Sequence, residues 1–304
     1  MSTTSRVTEN PKPDAAGEPC PTPLVWRQVL TAVHEQREEF TFAWGGRELH
    51  GATLGSGRPL YFLGPIAGGW ELFALTAWLL REEFRCTFIE LPELRYAADA
   101  ATYVTASGDA VTAAADSLGD QTVALFGASL GGTIALQTLA MYPERFEAAV
   151  LIGTAARRRL TLMERAMLIW GGLLPGRLRQ LPGWKRVLEQ NHRHWFPPFD
   201  QSRWQFLLQN LGETPIALAA RRQSVLGGVN LREQLPGITQ PVLIVRTEGE
   251  GRILTEHQKE LQQGLPSAEV EEMRNAGQLP YLTHPHRVAK LVRRFLVEKR
   301  DSSD

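Results

Sequence analysis

The 304 residues carry 43% apolar side chains, 33 basic against 33 acidic groups, and two cysteines. That length and apolar share allow one large core with an inserted subdomain, and the charge balance gives no overall field to draw nucleic acid or an anionic membrane. Two cysteines, Cys20 in a polar segment and Cys86 opening an apolar run, make no disulfide framework and point to a reducing, cytoplasmic setting.

Residues 1 to about 22 are rich in Pro, Ser, Thr, Asp and Glu, hold no apolar stretch of signal-peptide type, and read as a disordered tail before a domain at 23–304. Alternating apolar residues on either side of Gly45-Gly46 predict a β-hairpin ending near Gly55. Short apolar runs then alternate with helical patterns: a strand at Pro59–Leu63, a helix at Trp70–Glu82, a strand at Cys86–Leu91 and helix over Ala98–Leu118. A strand at Val123–Phe126, a helix at Leu130–Tyr142 and a strand at Ala148–Ile152 follow. The alternation resumes at Pro241 with PVLIVR, a helix at Glu256–Gln263, a strand around Val270–Met273 and a last helix at Pro285–Val297. Continuous apolar strands between amphipathic helices predict a mainly parallel α/β sheet covered on both faces.

Between about 155 and 235 the pattern becomes helices broken by Pro175, Pro182, Pro197 and Pro198, as in a cap inserted over a sheet. The longest apolar stretch of the chain, Ala166 to Gly176, lies here. It is about half a membrane span, is bracketed by arginines, and reads as a buried cap helix rather than a transmembrane segment. Thirteen basic side chains of the cap face only five acidic ones, which suits a solvated arginine-rich surface or an acidic partner.

Gly127-Ala128-Ser129-Leu130-Gly131, followed by Gly132, matches G-x-S-x-G. The strand VALF runs into it and the helix LGGTIALQTLAMY runs out, the setting of a strained turn that lifts a serine hydroxyl above a sheet. Plain turn residues are the alternative reading. Acyl transfer at such a serine also needs donors for an oxyanion. The backbone N–H of Leu130 is one candidate, and that of Ile66, in the Gly-rich loop Leu63–Gly69, is the other.

This succession resembles the α/β-hydrolase superfamily over about residues 40–298. The resemblance implies an acid after PVLIVR, where Glu250 matches best and Glu248 is the alternative. It also implies a histidine after the last core strand, in a segment shaped like A-G-H-x-P. This chain has Ala276-Gly277-Gln278-Leu279-Pro280, with Gln278 at the histidine position. Glutamine cannot accept the serine proton at neutral pH, and loss of the base costs roughly a millionfold in a serine protease of the same logic. His284, His286, His192 and His194 are the candidate substitutes.

Three strings are similar to those of maspardin-type members of the superfamily: Leu63-Gly64-Pro65 in place of His-Gly, the elbow followed by Gly132, and Gln278-Leu279-Pro280-Tyr281-Leu282. That likeness implies a non-catalytic binding protein with a degenerate triad, without metal or cofactor. Its partner would be a protein or a small apolar ligand taken by the cap and pocket, where Trp170, Trp184, Trp195 and Trp204 either line the site or pack the core. The competing expectation is an active or weak esterase- or lipase-like serine hydrolase whose base comes from elsewhere.

Overall fold

The computed structural model describes residues 25–94, 97–198 and 200–297; the predicted tail, with Cys20, lies outside them. Helix α1 (Trp26–Gln36) precedes a hairpin of β1 (Glu38–Trp44) and β2 (Arg47–Leu54), turned at Gly45-Gly46. Then come β3 (Arg58–Leu63), a 3₁₀ turn (Trp70–Phe73) leading into α2 (Ala74–Leu80), β4 (Phe84–Ile89), α3 (Ala100–Ser117), β5 (Val123–Ala128), α4 (Leu130–Met141) and β6 (Phe146–Ile152). Four helices follow before the sheet resumes: α5 (Leu162–Gly171), α6 (Trp184–His192), α7 (Gln201–Gly212) and α8 (Ile216–Gly228). The chain closes with β7 (Val242–Thr247), α9 (Gly251–Gly264), β8 (Ala268–Met273), the short α10 (Pro280–Thr283) and α11 (Pro285–Val297).

The eight strands form one sheet in the order β1-β2-β4-β3-β5-β6-β7-β8. β2 runs antiparallel to both β1 and β4, and every later pairing is parallel. The period of two along each strand divides the core. Leu60, Phe62, Phe126, Val150 and Val245 join one cluster with α1, α2 and α11. Tyr61, Leu63, Leu125, Leu151 and Ile244 join another with α3, α4 and α9. Strands buried on both faces must be apolar at successive positions, which is how VALF and VLIV read. Helix α4 sits over the sheet centre and buries nine of its twelve residues, from Leu130 to Leu139, consistent with an apolar sequence that has no polar face.

Two features differ from the sequence expectation. Helix α1 was not anticipated; Trp26, Val29 and Val33, spaced three and four apart, bury it against the first cluster. The stretch expected as a buried cap helix, Ala166–Gly176, is instead exposed, and α5 has no buried residue. It leans on α8 along one edge, where a Cβ on Gly171 would lie 3.0 Å from that of Ala220, and most of its remaining side chains are exposed. Among the described residues no helix is long and apolar enough to cross a membrane.

Because β3, β5, β6, β7 and β8 are parallel, the segments leaving their C-terminal ends share one edge of the sheet. There an open α/β sheet leaves a crevice.

Candidate functional site

Ser129 leaves β5 with φ 52° and ψ −111°, one of two described non-glycine residues at positive φ. Such a backbone costs on the order of 1–3 kcal/mol and persists only where its surroundings hold it. Here they do. The Ser129 N–H donates to Ile152 O at 2.9 Å, and Gly131 N–H donates to Gly64 O at 2.9 Å. A Cβ on Gly127 would lie 2.7 Å from Gly132 N, and one on Gly131 would fall on the Leu63 carbonyl. The glycines are there because strand, turn and loop touch backbone to backbone. Ser129 is half-buried, and its hydroxyl makes no hydrogen bond among the described residues.

The Gly-rich loop after β3 lies against this elbow and is held by α7, α8 and the turn between them. Gly68 N–H donates to Thr214 Oγ1 and Gly69 N–H to Asn210 Oδ1, both at 2.9 Å, while Arg222 donates to Ile66 O at 3.4 Å. Neither Ile66 N–H nor Leu130 N–H has a partner among the described residues. Two free donors flanking a serine at a helix N-terminus can receive developing negative charge. Asn210, Thr214 and Arg222 were not singled out from the sequence, because their contacts span 141 to 156 residues and leave no local spacing.

Glu250, at the end of β7, is 6% exposed. Its carboxylate faces Gly153, with Oε1 3.8 Å from where a Cβ there would lie, just beyond the end of β6 whose Ile152 carbonyl receives Ser129 N–H. Burial pushes its pKa up to about 7, offset in part by the Thr247 and Gly153 amides and the Gln258 side chain. Those interactions are poorly aimed, since neither carboxylate oxygen has a well-formed hydrogen bond. Glu248 is exposed, and its carboxylate accepts Asn275 N–H at 2.8 Å, so it caps a turn instead of facing inward. The acid loop and the loop after β8 are joined by that bond and by Gly249 N–H to Ala276 O at 3.0 Å.

Gln278 is exposed and makes no hydrogen bond among the described residues. Trp195 of the cap seats on the glycine before it: Cβ atoms on Gly249 and Gly277 would lie 2.8 Å from Trp195 Cε2 and 3.0 Å from its Cβ, respectively. The four cap tryptophans therefore have different fates. Trp204 is buried, Trp184 and Trp195 are half-buried, and Trp170 is on the surface.

The elbow and the Gly-rich loop are thus brought together, as are the loops after β7 and β8, but no hydrogen bond links Ser129, Glu250 and Gln278. None of the seven histidines bonds to the Ser129 hydroxyl. His284 is half-buried, contacts Thr283 Oγ1 at 2.9 Å, and is pushed down to about 4 by burial and by Arg287 and Arg203. His192 is lowered by burial and by His194. Among the described residues no group of three His, Cys, Asp or Glu is placed to hold a metal.

A cleft of about 1060 Å³ opens beside the Gly-rich loop. Phe62, Trp70, Phe73 and Phe88 give it apolar walls, and Arg221 and Arg222 of α8 border it.

The sheet order and the strained Ser129 turn between β5 and α4 are those of an α/β-hydrolase framework. The Alpha/beta hydrolase family model matches residues 49–291, and the chain belongs to that family. Solved structures agree on the fold. An esterase from Thermogutta terrifontis superposes with a TM-score of 0.69 at 19% identity, over 86% of this chain and 98% of that one. A bacterial membrane phospholipase A gives 0.67 at 20% identity, over 91% and 93%. Naproxen esterase from Bacillus subtilis gives 0.61 at 18%, over 89% and 96%. No curated protein matches the chain by sequence.

Proposed function

We propose that this chain is a degenerate hydrolase, maspardin-like in character, that binds a ligand or partner on a hydrolase framework without ordinary serine-hydrolase turnover. One observation carries the reading: the segment after β8 presents an exposed amide, Gln278, and no imidazole bonds to the Ser129 hydroxyl. A serine hydroxyl without a proton acceptor is a weak nucleophile. In this reading Ser129 and Glu250 are remnants of a triad, and Ile66 and Leu130 of an oxyanion site. The cap over residues 155–235 and the aromatic-walled cleft take a small apolar ligand or a protein in a reducing, cytoplasmic setting. The buried free thiol of Cys86, raised by burial, is in keeping with that setting.

A second reading, a weak esterase- or lipase-like hydrolase, is favoured by the strained Ser129 backbone and the two unclaimed N–H groups beside it. The esterase and phospholipase names among the similar structures suit it as well. A fluorophosphonate probe and a short-chain p-nitrophenyl ester separate the two. The first reading expects no labelling of the natural chain. Rapid labelling that disappears in Ser129→Ala would establish the second.

A further inference from the structure

Helix α5 and the turn after it carry an unusual surface. Leu162 is 85% exposed, Trp170 70% and Leu173 72%, and Met163, Met167 and Ile169 are exposed beside them. At about 100° per residue, Leu162, Met163, Ala166, Met167, Ile169 and Trp170 fall within an arc of about 160°. Glu164, Leu168 and Gly171, the less exposed residues, lie on the opposite side, toward α8. The helix thus turns its apolar side outward. A capping box supports its first turn: Thr161 Oγ1 accepts Glu164 N–H at 3.2 Å, and Glu164 accepts Thr161 N–H at 2.8 Å.

The charge around this face is one-sided. From Arg157 to Arg193 the chain has nine basic side chains and two acidic ones, Glu164 and Glu189, although Arg177 and Arg179 pair with Glu213 from outside that stretch. Arg158 lies 3.6 Å from Glu164, whereas Arg159 and Arg165 are exposed and make no ion pair among the described residues. An outward apolar face with a tryptophan and flanking arginines is how a helix lies in the plane of a lipid interface. A second copy of this chain is a poorer occupant, since apposing the two faces would bring one basic surplus against another.

We infer that α5 docks the protein on an anionic bilayer surface, its apolar side entering the headgroup boundary and its arginines facing acidic headgroups. The patch adjoins the aromatic-walled cleft. Leu168, Ile169 and Leu173 line a cavity of about 420 Å³ with Arg221, and Arg221 also borders the 1060 Å³ cleft. Docking would set that cleft at the lipid boundary whether or not Ser129 reacts, so the inference stands independently of the proposed function.

The test is co-sedimentation of the full chain with phosphatidylcholine vesicles, with and without one third phosphatidylglycerol. Binding is expected to need phosphatidylglycerol and to weaken several-fold as salt rises. It is expected to fall at least tenfold in Ile169→Glu/Trp170→Glu and in Arg159→Glu/Arg165→Glu, with circular dichroism showing both variants folded. A measurement free of charge variants uses vesicles with brominated acyl chains. They are expected to quench the tryptophan fluorescence of the natural chain, and to quench Trp170→Phe distinctly less at equal binding. Equal binding to both vesicle types, or no binding to either, would overturn the inference. So would a chain that is dimeric in solution and made monomeric by Ile169→Glu/Trp170→Glu, which would mark α5 as a contact between copies.

Discussion

The fold constrains the turn after β5, with Ser129, and the loop after β8, with Gln278, very differently. At β5 the serine is fixed by backbone contacts on every side: to Ile152, to Gly64 through Gly131, and between the elbow glycines themselves. At β8 the backbone of Ala276 and Gly277 is held by Gly249 and Trp195, but the side chain of Gln278 is exposed and makes no hydrogen bond among the described residues. An elbow can therefore outlive its chemistry, because dismantling it would unpack the sheet, whereas a base can be exchanged at almost no structural cost. Under the proposed reading, the strained geometry of Ser129 is a mark of ancestry.

That contrast can be broken at either end. The largest effect is expected from Gly131→Val, whose side chain would meet the Leu63 backbone. A clash that only a shift of β3 or α4 can relieve is expected to cost more than about 4 kcal/mol, read as loss of the cooperative urea transition. Gln278→Val, at the other end, is expected to move that transition by less than about 0.5 kcal/mol. Next in size is Gln278→His. If the elbow, the free N–H groups and Glu250 remain competent, fluorophosphonate labelling of Ser129 is expected to rise at least a hundredfold, about 3 kcal/mol of barrier. No gain would mean that the serine end has also lost its function.

The sheet was legible because its signals are local. A strand buried on both faces has to be a continuous apolar run, and a strand-to-helix turn needs small residues, so VALF-GASLGG-TIAL declares itself. Gln278 was placed by resemblance, through the frame of Ala276-Gly277 and Pro280, and the structure shows it exposed after β8. The surroundings of α4 and α5 were not legible. Both are apolar, but α4 is among the most buried elements and α5 has no buried residue. Composition reports that a helix has apolar side chains to cover; it does not report whether a neighbour is there to cover them. The same limit hid Asn210 and Thr214 and left Trp195 open between lining a site and packing the core, since their contacts depend on where the inserted helices land. Helix α1 was a different omission: its buried spacing is present in the sequence and lies just ahead of the first predicted strand.

The acid end gives a smaller effect with a definite sign. Folding raises Glu250 from 4.5 to about 7, so the folded chain keeps a proton that the unfolded chain releases between those values. The stabilisation is fully present below about pH 4.5 and is lost as pH rises through 7. At about 1.4 kcal/mol per unit, the natural chain is expected to lose on the order of 3 kcal/mol between pH 4 and pH 8 relative to Glu250→Gln. Urea unfolding of both chains across that range measures it. A flat difference would mean that Glu250 stays charged in the fold and still has a cationic or donor partner.

The smallest expected effect concerns α5 and separates local from global stability. Thr161→Ala removes the side-chain half of the capping box, worth about 1 kcal/mol to a helix. In a helix buried against the sheet that loss would appear in the global transition. Helix α5 buries no side chain, so its ends can open without disturbing either hydrophobic cluster. Hydrogen exchange at Met163–Met167 is therefore expected to quicken roughly fivefold while the urea midpoint stays in place. A matching shift of the global transition would mean that α5 is part of the cooperative core and packs more tightly on α8 than its exposure indicates.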